Sequence, residues 1–556
     1  MGSRLLLWLC FVFLACFLLV PICFLLLQAF VDSNSRFVGL EYFSSYMTQD
    51  WLLQSFLHTL FVSVSATSLS VIFAFVCAYS LMRSNIRAKK LIYHIALLPL
   101  FVPSLMYGLG LVYLLGNKGI ITTLLGLESF SIYGASGIII AQSIYIFPQS
   151  FLVLYLALQN VDNRLYEQAE IMGISPLRCF FSITLPSIRF GLLSAVMMGF
   201  ILCFTDFGAP IVIGGNYNVL AIDMYKYIIG QQNFNLGACI AIALLLPALL
   251  AFFVLKYAQK HATQSAKATP YHIKPNALRD RICLALLSIP LGSILVVMGA
   301  VALASVIKLY PYDLSLTLEH FGIKSSIDGL STLLNSVLIA LGAAVCGSVF
   351  SFLFVYLSHI SDSKLSHNIA HFFMILPSAL PGLVLGLGYV IFFNASEFEI
   401  AQDLYLLNPL YMLYGSFALM IICHIIHYFS IPSLSIKQSL QSIDKDIESV
   451  GEVMGISRLA MLKNVYIPLC LPAILENALY FFLNAMVSIS AVIFIYTASN
   501  KVAAITIVHL DEKGYIEEAA ALTLLIVAIN FCVKILFELF KKRVLSRVYL
   551  NTKGAV

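Results

Sequence analysis

Charge is the scarcest property of this chain. Only 11% of its 556 residues are charged, against 61% that are hydrophobic, where a soluble domain carries about 25% charged residues. A water-soluble globular protein is therefore excluded. Paired cysteines are missing too: none of the 12 cysteines forms a C-x-x-C, and no Cys/His spacing suggests zinc. Most, Cys77 and Cys203 among them, lie inside apolar runs as small buried hydrophobes do. No G-x-x-x-x-G-K-[ST] is present, so nothing here cradles nucleotide phosphates. The 11 histidines are scattered, without the His, Asp or Glu cluster of a membrane enzyme. No catalytic residue and no metal ligand is expected. A net charge of +5 gives no sign of a nucleic-acid partner.

Long apolar runs are abundant. They fall near 5–31, 52–82, 91–116, 131–158, 187–205 and 235–255, then near 282–309, 329–359, 368–394, 404–436, 467–497 and 519–540. A spanning helix needs roughly 20 apolar residues, so about twelve transmembrane helices in two groups of six are expected. The first run is too long for a signal h-region and no small-residue cleavage site closes it, which marks it as a retained span. With the N-terminus cytoplasmic, only Arg36, Lys118, Lys226, Lys308, Lys324, Lys501 and Lys513 lie outside. That leaves 32 − 7 = 25 basic residues inside or at the inner border. The positive-inside rule thus places both termini in the cytoplasm. Residues 1–258 and 282–556 form two domains, joined by a polar, Lys-containing cytoplasmic linker at 259–281.

The two domains repeat each other. VDNRLYEQAEIMGISPLRCFFSITLP, ending at Pro186, returns as IDKDIESVGEVMGISRLAMLKNVYIP, ending at Pro468. Gly173 and Gly455 stand 282 positions apart, as do the two prolines. LLPLFVPSLMYGLG, with Pro99, Pro103, Gly108 and Gly110, returns as ILPSALPGLVLGLG, with Pro377, Pro381, Gly386 and Gly388, at a constant offset of 278. Two blocks in fixed register indicate a tandem duplication. Six spans per half give both copies the same topology, a parallel repeat.

The loops at 162–186 and 444–468 have a readable local structure. Asp162 and Asp444 are placed to cap a short helix of roughly 11 residues. Gly173 supplies the left-handed turn that ends it, and Ser175 and Pro176 cap and open the next helix. Small Ala169 and Gly173, with Gly451 and Gly455 in the second copy, should let another surface approach closely. A plain connector explains one copy; it does not explain the recurrence in register from Glu170/Glu452 to Ser175/Ser457.

The loop resembles the EAA signature of binding-protein-dependent ABC importer permeases of type I: E-A-A, three residues, G, nine residues, I-x-L-P. Glu167, Ala169, Gly173, Ile183, Leu185 and Pro186 match it, with Gln168 in place of the middle alanine. In the second copy Ser449 replaces the leading glutamate and Gly451 the alanine, while Gly455 and Pro468 remain. The resemblance implies an all-α polytopic membrane protein whose Glu167, Ala169, Glu170, Gly173, Pro186, Gly451, Glu452, Gly455 and Pro468 couple to an ATPase. It also implies that ATP and Mg sit on two copies of that separate ATPase subunit, that this chain binds no cofactor and that it is not itself an enzyme. A periplasmic or lipid-anchored solute-binding protein would deliver the cargo. The surrounding phase would be lipid of the bacterial inner membrane.

Pathway residues are fewer. Asp206, in FTDFGAP near the outer end of span five, is either a functional carboxylate at membrane depth or a solvated one at the interface. Ser488 and Ser490 occupy the aligned places of Asp206 and Gly208. Pro103 and Pro381 should break their spans, freeing carbonyls that a cavity or packed protein must satisfy. Glu476 is expected to pair with a neighbouring helix, and His424 and His427 to form interhelical hydrogen bonds rather than share a ligand. The stretch Thr205–Phe234 is similar to the fused permeases of 2-aminoethylphosphonate and ferric-iron importers, the phosphonate branch first and iron as the alternative. Its Asp223, Tyr225, Lys226, Gln231 and Gln232 could touch a binding protein. An ion-coupled secondary transporter would share the topology but should carry more ionisable residues deep in its spans.

Overall fold

The computed structural model describes the backbone of the chain except residues 1, 32–35, 49, 127–130, 262–268, 270, 274, 323–328, 402–403 and 554–556. The first half supplies α1 (Arg4–Gln28), α2 (Asp50–Arg83), α3 (Lys89–Leu97), α4 (Leu105–Leu115), α5 (Ala135–Gln159), α6 (Asn163–Ile171), α7 (Pro176–Phe204), α8 (Gly208–Ile213) and α9 (Phe234–His261). The second half supplies α10 (Ala277–Ala304), α11 (Gly329–His359), α12 (Lys364–Ile375), α13 (Gly382–Phe393), α14 (Phe417–His427) and α15 (Ser430–Gln441). It ends with α16 (Lys445–Val453), α17 (Arg458–Val487), α18 (Ala503–Glu512) and α19 (Ile516–Lys553). Two short antiparallel hairpins, 307–316 and 397–407, are the strands among the described residues besides an isolated bridge between Val31 and Phe37. Among the described residues ten helices are long and apolar enough to cross a membrane, and two bent pairs raise the number to as many as twelve. Leu246, Leu250 and Phe253 on α9, like Val345 and Val349 on α11, point outward and exposed. Helices apolar on the outside as well as the inside belong in lipid.

The proline motifs break the third span of each half, where the apolar runs 91–116 and 368–394 read as continuous. In the first copy α3 passes through a 3-10 turn, Leu98–Phe101, and α4 restarts after Pro103. In the second, the turn Leu376–Ala379 leads to Pro381 at the cap of α13, and the two pieces meet at 106°. Proline lacks the N–H that a helix interior needs, so carbonyls come free. Packed protein satisfies them. Pro99 O accepts from the Tyr107 hydroxyl at 3.2 Å, Phe101 O from Asn530 of α19 at 3.0 Å, and Ile375 O from the Ser378 hydroxyl at 2.7 Å.

Two other runs are shorter as helix than their apolarity suggested. The run 404–436 starts as a strand and carries α14 and α15, bent by 57°. The run 467–497 ends as helix at Val487 and continues in turns. Irregular backbone survives at membrane depth only where protein surrounds it. Here Asn500, fully buried, donates to Gly415 O at 3.0 Å and accepts from Thr497 N at 2.6 Å.

The halves interlock through their first helices. α1 lies on the second half: Phe11 packs on Phe354 and Phe373, Phe17 stacks on Phe393, and Phe24 meets Phe392. The buried Tyr389 hydroxyl donates to Phe17 O at 2.7 Å. Reciprocally, α10 lies against α4 of the first half. The duplicated glycines make both approaches possible. A Cβ on Gly110 would stand 2.7 Å from Val297 O of α10, and one on Gly388 2.9 Å from Pro21 O of α1. Two residues earlier, Gly108 faces Val212 and Gly386 faces Ala491 O, each within its own half. Helices in lipid gain little from hydrophobicity and associate by close packing over small residues, and G-L-G serves two neighbours at once.

Candidate functional site

Both loops fold as their sequences dictate. Asp162 has extended backbone and accepts from Arg164 N at 3.1 Å, capping α6; Asp444 accepts from Asp446 N at 3.1 Å before α16. The Thr269 hydroxyl, then the Arg164 amide, hold the Asp162 carboxyl below the ordinary aspartate range. Gly173 and Gly455 take φ of +68° and +65°. The chain then folds back, Ile174 N donating to Ala169 O and Ile456 N to Gly451 O, each at 2.9 Å. That pattern is a Schellman turn. Ser175 and Ser457 stand at the N-caps of the helices that follow; Ser457 accepts from Ala460 N at 3.3 Å, whereas the Ser175 side chain makes no cap bond.

Pro186 and Pro468 stand just after single π-helical turns, Phe180–Thr184 and Leu462–Tyr466. A wider turn accommodates a residue that cannot donate and whose ring crowds the preceding turn. Both prolines therefore shape the entry to their spans. Glu167 is exposed and accepts from the Asn163 amide at 2.7 Å, and Glu170 is exposed as well. Glu452 lies on α16, its side chain outside the described residues, as is that of Ser449.

Ala169 corrects one expectation. It is only 2% exposed, so its small size serves packing beneath α6 rather than an outside surface. Gly451 is likewise buried, and a Cβ there would meet Met461 Sδ at 2.8 Å. Open approach exists only at Gly173 and Gly455, where an added Cβ meets nothing within 4 Å.

Sequence reasoning missed the apolar knobs beside those glycines. Ile171 and Met172 are 87% and 75% exposed, and their partners at the 282 offset, Val453 and Met454, 89% and 70%. Leu165, Leu177, Ile447 and Leu459 are exposed around them. An apolar patch repeated on two polar loops marks a surface meant to be covered. The signal was an apolar pair directly before the turn glycine of a polar loop.

The pathway candidates converge where the halves meet. Asp206 is half-buried and caps α8, accepting from Gly208 N at 3.3 Å and Ala209 N at 3.2 Å. Gln142 of α5 donates to it at 3.4 Å and to Cys203 O at 3.2 Å. Asp206 is thus neither a bare membrane charge nor a freely solvated loop residue. Tyr145 stands within electrostatic reach of Asp206 and of Tyr428 and Tyr480 from the second half. The Tyr428 ring lies 4.5 Å from His427 and 6.1 Å from Tyr480. Ser104 and Gly208 in one half face each other as Gly382 and Ser490 do in the other: a Cβ would sit 2.2 Å from Ser104 Oγ or 2.5 Å from Ser490 Oγ. Each half keeps one hydroxyl and one glycine but exchanges their places. Ser488, aligned with Asp206, is buried and leaves the second half without that carboxylate. Pro103 and Pro381 sit at the span breaks, each directly before a member of this cluster, Ser104 or Gly382.

Other candidates resolve simply. Glu476 pairs with Lys541 of α19, as expected. His424 bonds within its own helix, to Met420 O at 2.8 Å, while its Nε2 and His427 Nδ1 find no partner among the described residues. The expected interhelical bonds are therefore absent there. Asp223 is buried and not open to a partner, whereas Lys226, Gln231 and Gln232 are exposed. Nine of the 23 linker residues, Ser265 and Pro270 among them, lie outside the described residues.

Interlocked helical halves, two matched polar loops and a polar seam between the halves define a polytopic, nearly all-helical membrane protein built from a duplicated unit. The chain belongs to the family of binding-protein-dependent transport system inner membrane components, whose model matches it twice, over residues 70–264 and 355–546. It is an ABC importer permease, and this family works with an ATPase and a substrate-binding protein. Each match omits the first helix of its half, α1 or α10. The chain is 25% identical over 505 residues to the ferric transport system permease protein FbpB of Actinobacillus pleuropneumoniae, covering 88% of this chain and 71% of that one. It is 27% identical over 471 residues to a Haemophilus influenzae protein named "Putative ferric transport system permease protein FbpB 1", covering 82% and 72%. The molybdenum transport system permease protein ModB of Haemophilus influenzae is 31% identical over 220 residues, 37% of this chain and 94% of that protein.

Proposed function

We propose that the chain is the permease of a ferric-iron importer in the bacterial inner membrane, with both termini cytoplasmic. Iron, the alternative in the sequence reading, replaces 2-aminoethylphosphonate because two relatives spanning more than four-fifths of this chain carry ferric names. Asp206 in the seam offers a carboxylate to a cationic cargo such as iron, as it would to the ammonium of 2-aminoethylphosphonate, so the relatives' names carry the substrate assignment.

The observation that carries the coupling is the matched pair of exposed apolar patches at Ile171–Met172 and Val453–Met454. Two copies of an ATPase subunit, holding ATP and Mg, cover them and draw the loops together on closure. Cargo arrives from a periplasmic or lipid-anchored binding protein. Glu167, Glu170 and Glu452 border the patches on the same helices, and Gly173, Gly455, Pro186 and Pro468 fix their shape. The test is uptake of labelled ferric iron and of labelled 2-aminoethylphosphonate, separately, in cells with and without this gene. Loss of iron uptake alone is expected; loss of phosphonate uptake alone reverses the substrate assignment.

A further inference from the structure

The two docking loops differ in how they are held. The connection between the halves returns to the first loop at Thr269, Tyr271 and His272. Thr269 donates to the Asp162 carboxylate through its hydroxyl at 2.7 Å and its amide at 3.4 Å, while its carbonyl accepts from Asn163 N at 3.1 Å. His272 N donates to Asn163 Oδ1 at 3.1 Å. The Tyr271 ring meets Tyr166 of α6 edge-on at 5.1 Å. Beneath them lies Arg83, the last residue of α2 and only 3% exposed. Its guanidinium sits 3.8 Å from the Tyr271 ring centre and 4.5 Å from that of Tyr166, and it donates to the Tyr166 hydroxyl at 3.0 Å. Tyr166 in turn pairs with the Thr184 hydroxyl at 2.8 Å, at the π turn where α7 begins to cross.

The far end of this segment is anchored too. Asp280, in the first turn of α10, accepts from Asn85 N at 3.0 Å, just past the end of α2. The segment is thus tied to α6 at one end and to the α2–α3 turn at the other. The second loop cannot build the same arrangement. Lys445, Glu448, Ser449 and Tyr466 stand at the places of Asn163, Tyr166, Glu167 and Thr184. Asp444 keeps the local cap.

We propose that Thr269, Tyr271 and His272 act as a strap that positions the first docking helix, with Arg83 as its positioning residue, so that the two docking sites are mechanically unequal. Movement of α6 is passed through the strap to α10, which lies on the first half but opens the second. Among the described residues, α16 has no such link. Arginine suits the position because its broad guanidinium reaches both ring centres, at 3.8 and 4.5 Å, while one of its five N–H groups donates to the Tyr166 hydroxyl; a lysine ammonium is a compact point charge with three donors. The proposal rests on the reading of α6 as an ATPase-docking helix.

The test uses the full-length chain in lipid nanodiscs, with and without its ATPase. Amide hydrogen exchange is followed along α6 and α16 in the parent, in Tyr271→Ala, in Arg83→Lys and in Tyr271→Phe. Tyr271→Ala and Arg83→Lys should speed exchange in α6 about tenfold, as local opening predicts, and leave α16 unchanged. Tyr271→Phe, which keeps the ring, should behave as the parent. Equal acceleration of both helices, or none in α6, overturns the strap. A cycle then reads ATPase stimulation by the permease. Tyr271→Ala should add nothing to Ile171→Ser/Met172→Ser but should deepen the loss in Val453→Ser/Met454→Ser; equal effects on both backgrounds overturn the proposal. Failure of the docking reading shows separately, as unchanged ATPase affinity in Ile171→Ser/Met172→Ser.

Discussion

Replacing Ile171 and Met172 together by serine tests the docking surface most directly. Both side chains are largely exposed in the free permease, at 87% and 75%, so covering them would recover nearly the full value of burial. That value is about 1.5–3 kcal/mol for a side chain of this size. Taking the lower figure for each, the pair contributes about 3 kcal/mol, on the order of 150-fold in affinity at 1.4 kcal/mol per factor of ten. The permease itself should not suffer, because neither side chain is buried within it. The assay is equilibrium binding of the ATPase subunit to detergent-solubilised permease, with thermal unfolding of the permease alone as control. A matched loss is expected for Val453→Ser/Met454→Ser. An affinity within threefold of the parent in both variants, with the unfolding midpoint preserved, would refute the reasoning. The knobs would then be covered by lipid headgroups or by nothing.

Arginine at both Gly173 and Gly455 should abolish transport and release the ATPase while the chain still inserts. Each site has empty space, and the left-handed backbone costs a side chain only roughly 1–2 kcal/mol, so normal transport would sink the coupling role of these turns. Alanine at Gly388 or Gly110 forces backbone apart at the crossing of α13 with α1 or of α4 with α10, and should cost about 1–3 kcal/mol. A lowered unfolding midpoint checks it. Asp206→Asn replaces an acceptor of three N–H groups by one with a donor of its own; uptake should fall with ATPase assembly intact, and unchanged uptake would leave Asp206 a cap alone. Single cysteines introduced between 259 and 281 should react with impermeant reagents only from the cytoplasmic face, and labelling from outside would invert the topology.

Local chemistry was legible in the sequence, and so was the repeat. Aspartate before a short amphipathic stretch and glycine at its end gave both loops their first cap and their turn, because each depends on a few neighbouring residues. The proline pairs likewise announced broken spans. Apolarity alone could not tell helix from irregular backbone buried in protein, which is why 404–436 and 467–497 were read too long. The interlocking of α1 and α10 was hidden for a different reason. G-L-G says that something comes close, but which half supplies Val297 or Pro21 depends on contacts hundreds of residues apart. The exchange of serine and glycine between Ser104–Gly208 and Gly382–Ser490 needed both copies superimposed in space, since each position alone is unremarkable.

The reciprocal placement of the first helices has a consequence for biogenesis. Phe17 and Tyr389, joined by a hydrogen bond in the finished protein, are 372 residues apart. At about 5–20 residues per second of synthesis, α1 waits roughly 20–70 s for its partner to be made. Until then its partners come from the first half, where Gln28 donates to Asn235 of α9 at 3.2 Å. Leu5 to Val31 carries no charge, so every face of it is tolerable to acyl chains before the second half arrives. α10 faces no such delay, since the half it leans on has already been inserted. α1 thus completes its packing long after it is made, and that late step should begin at its contact with α13.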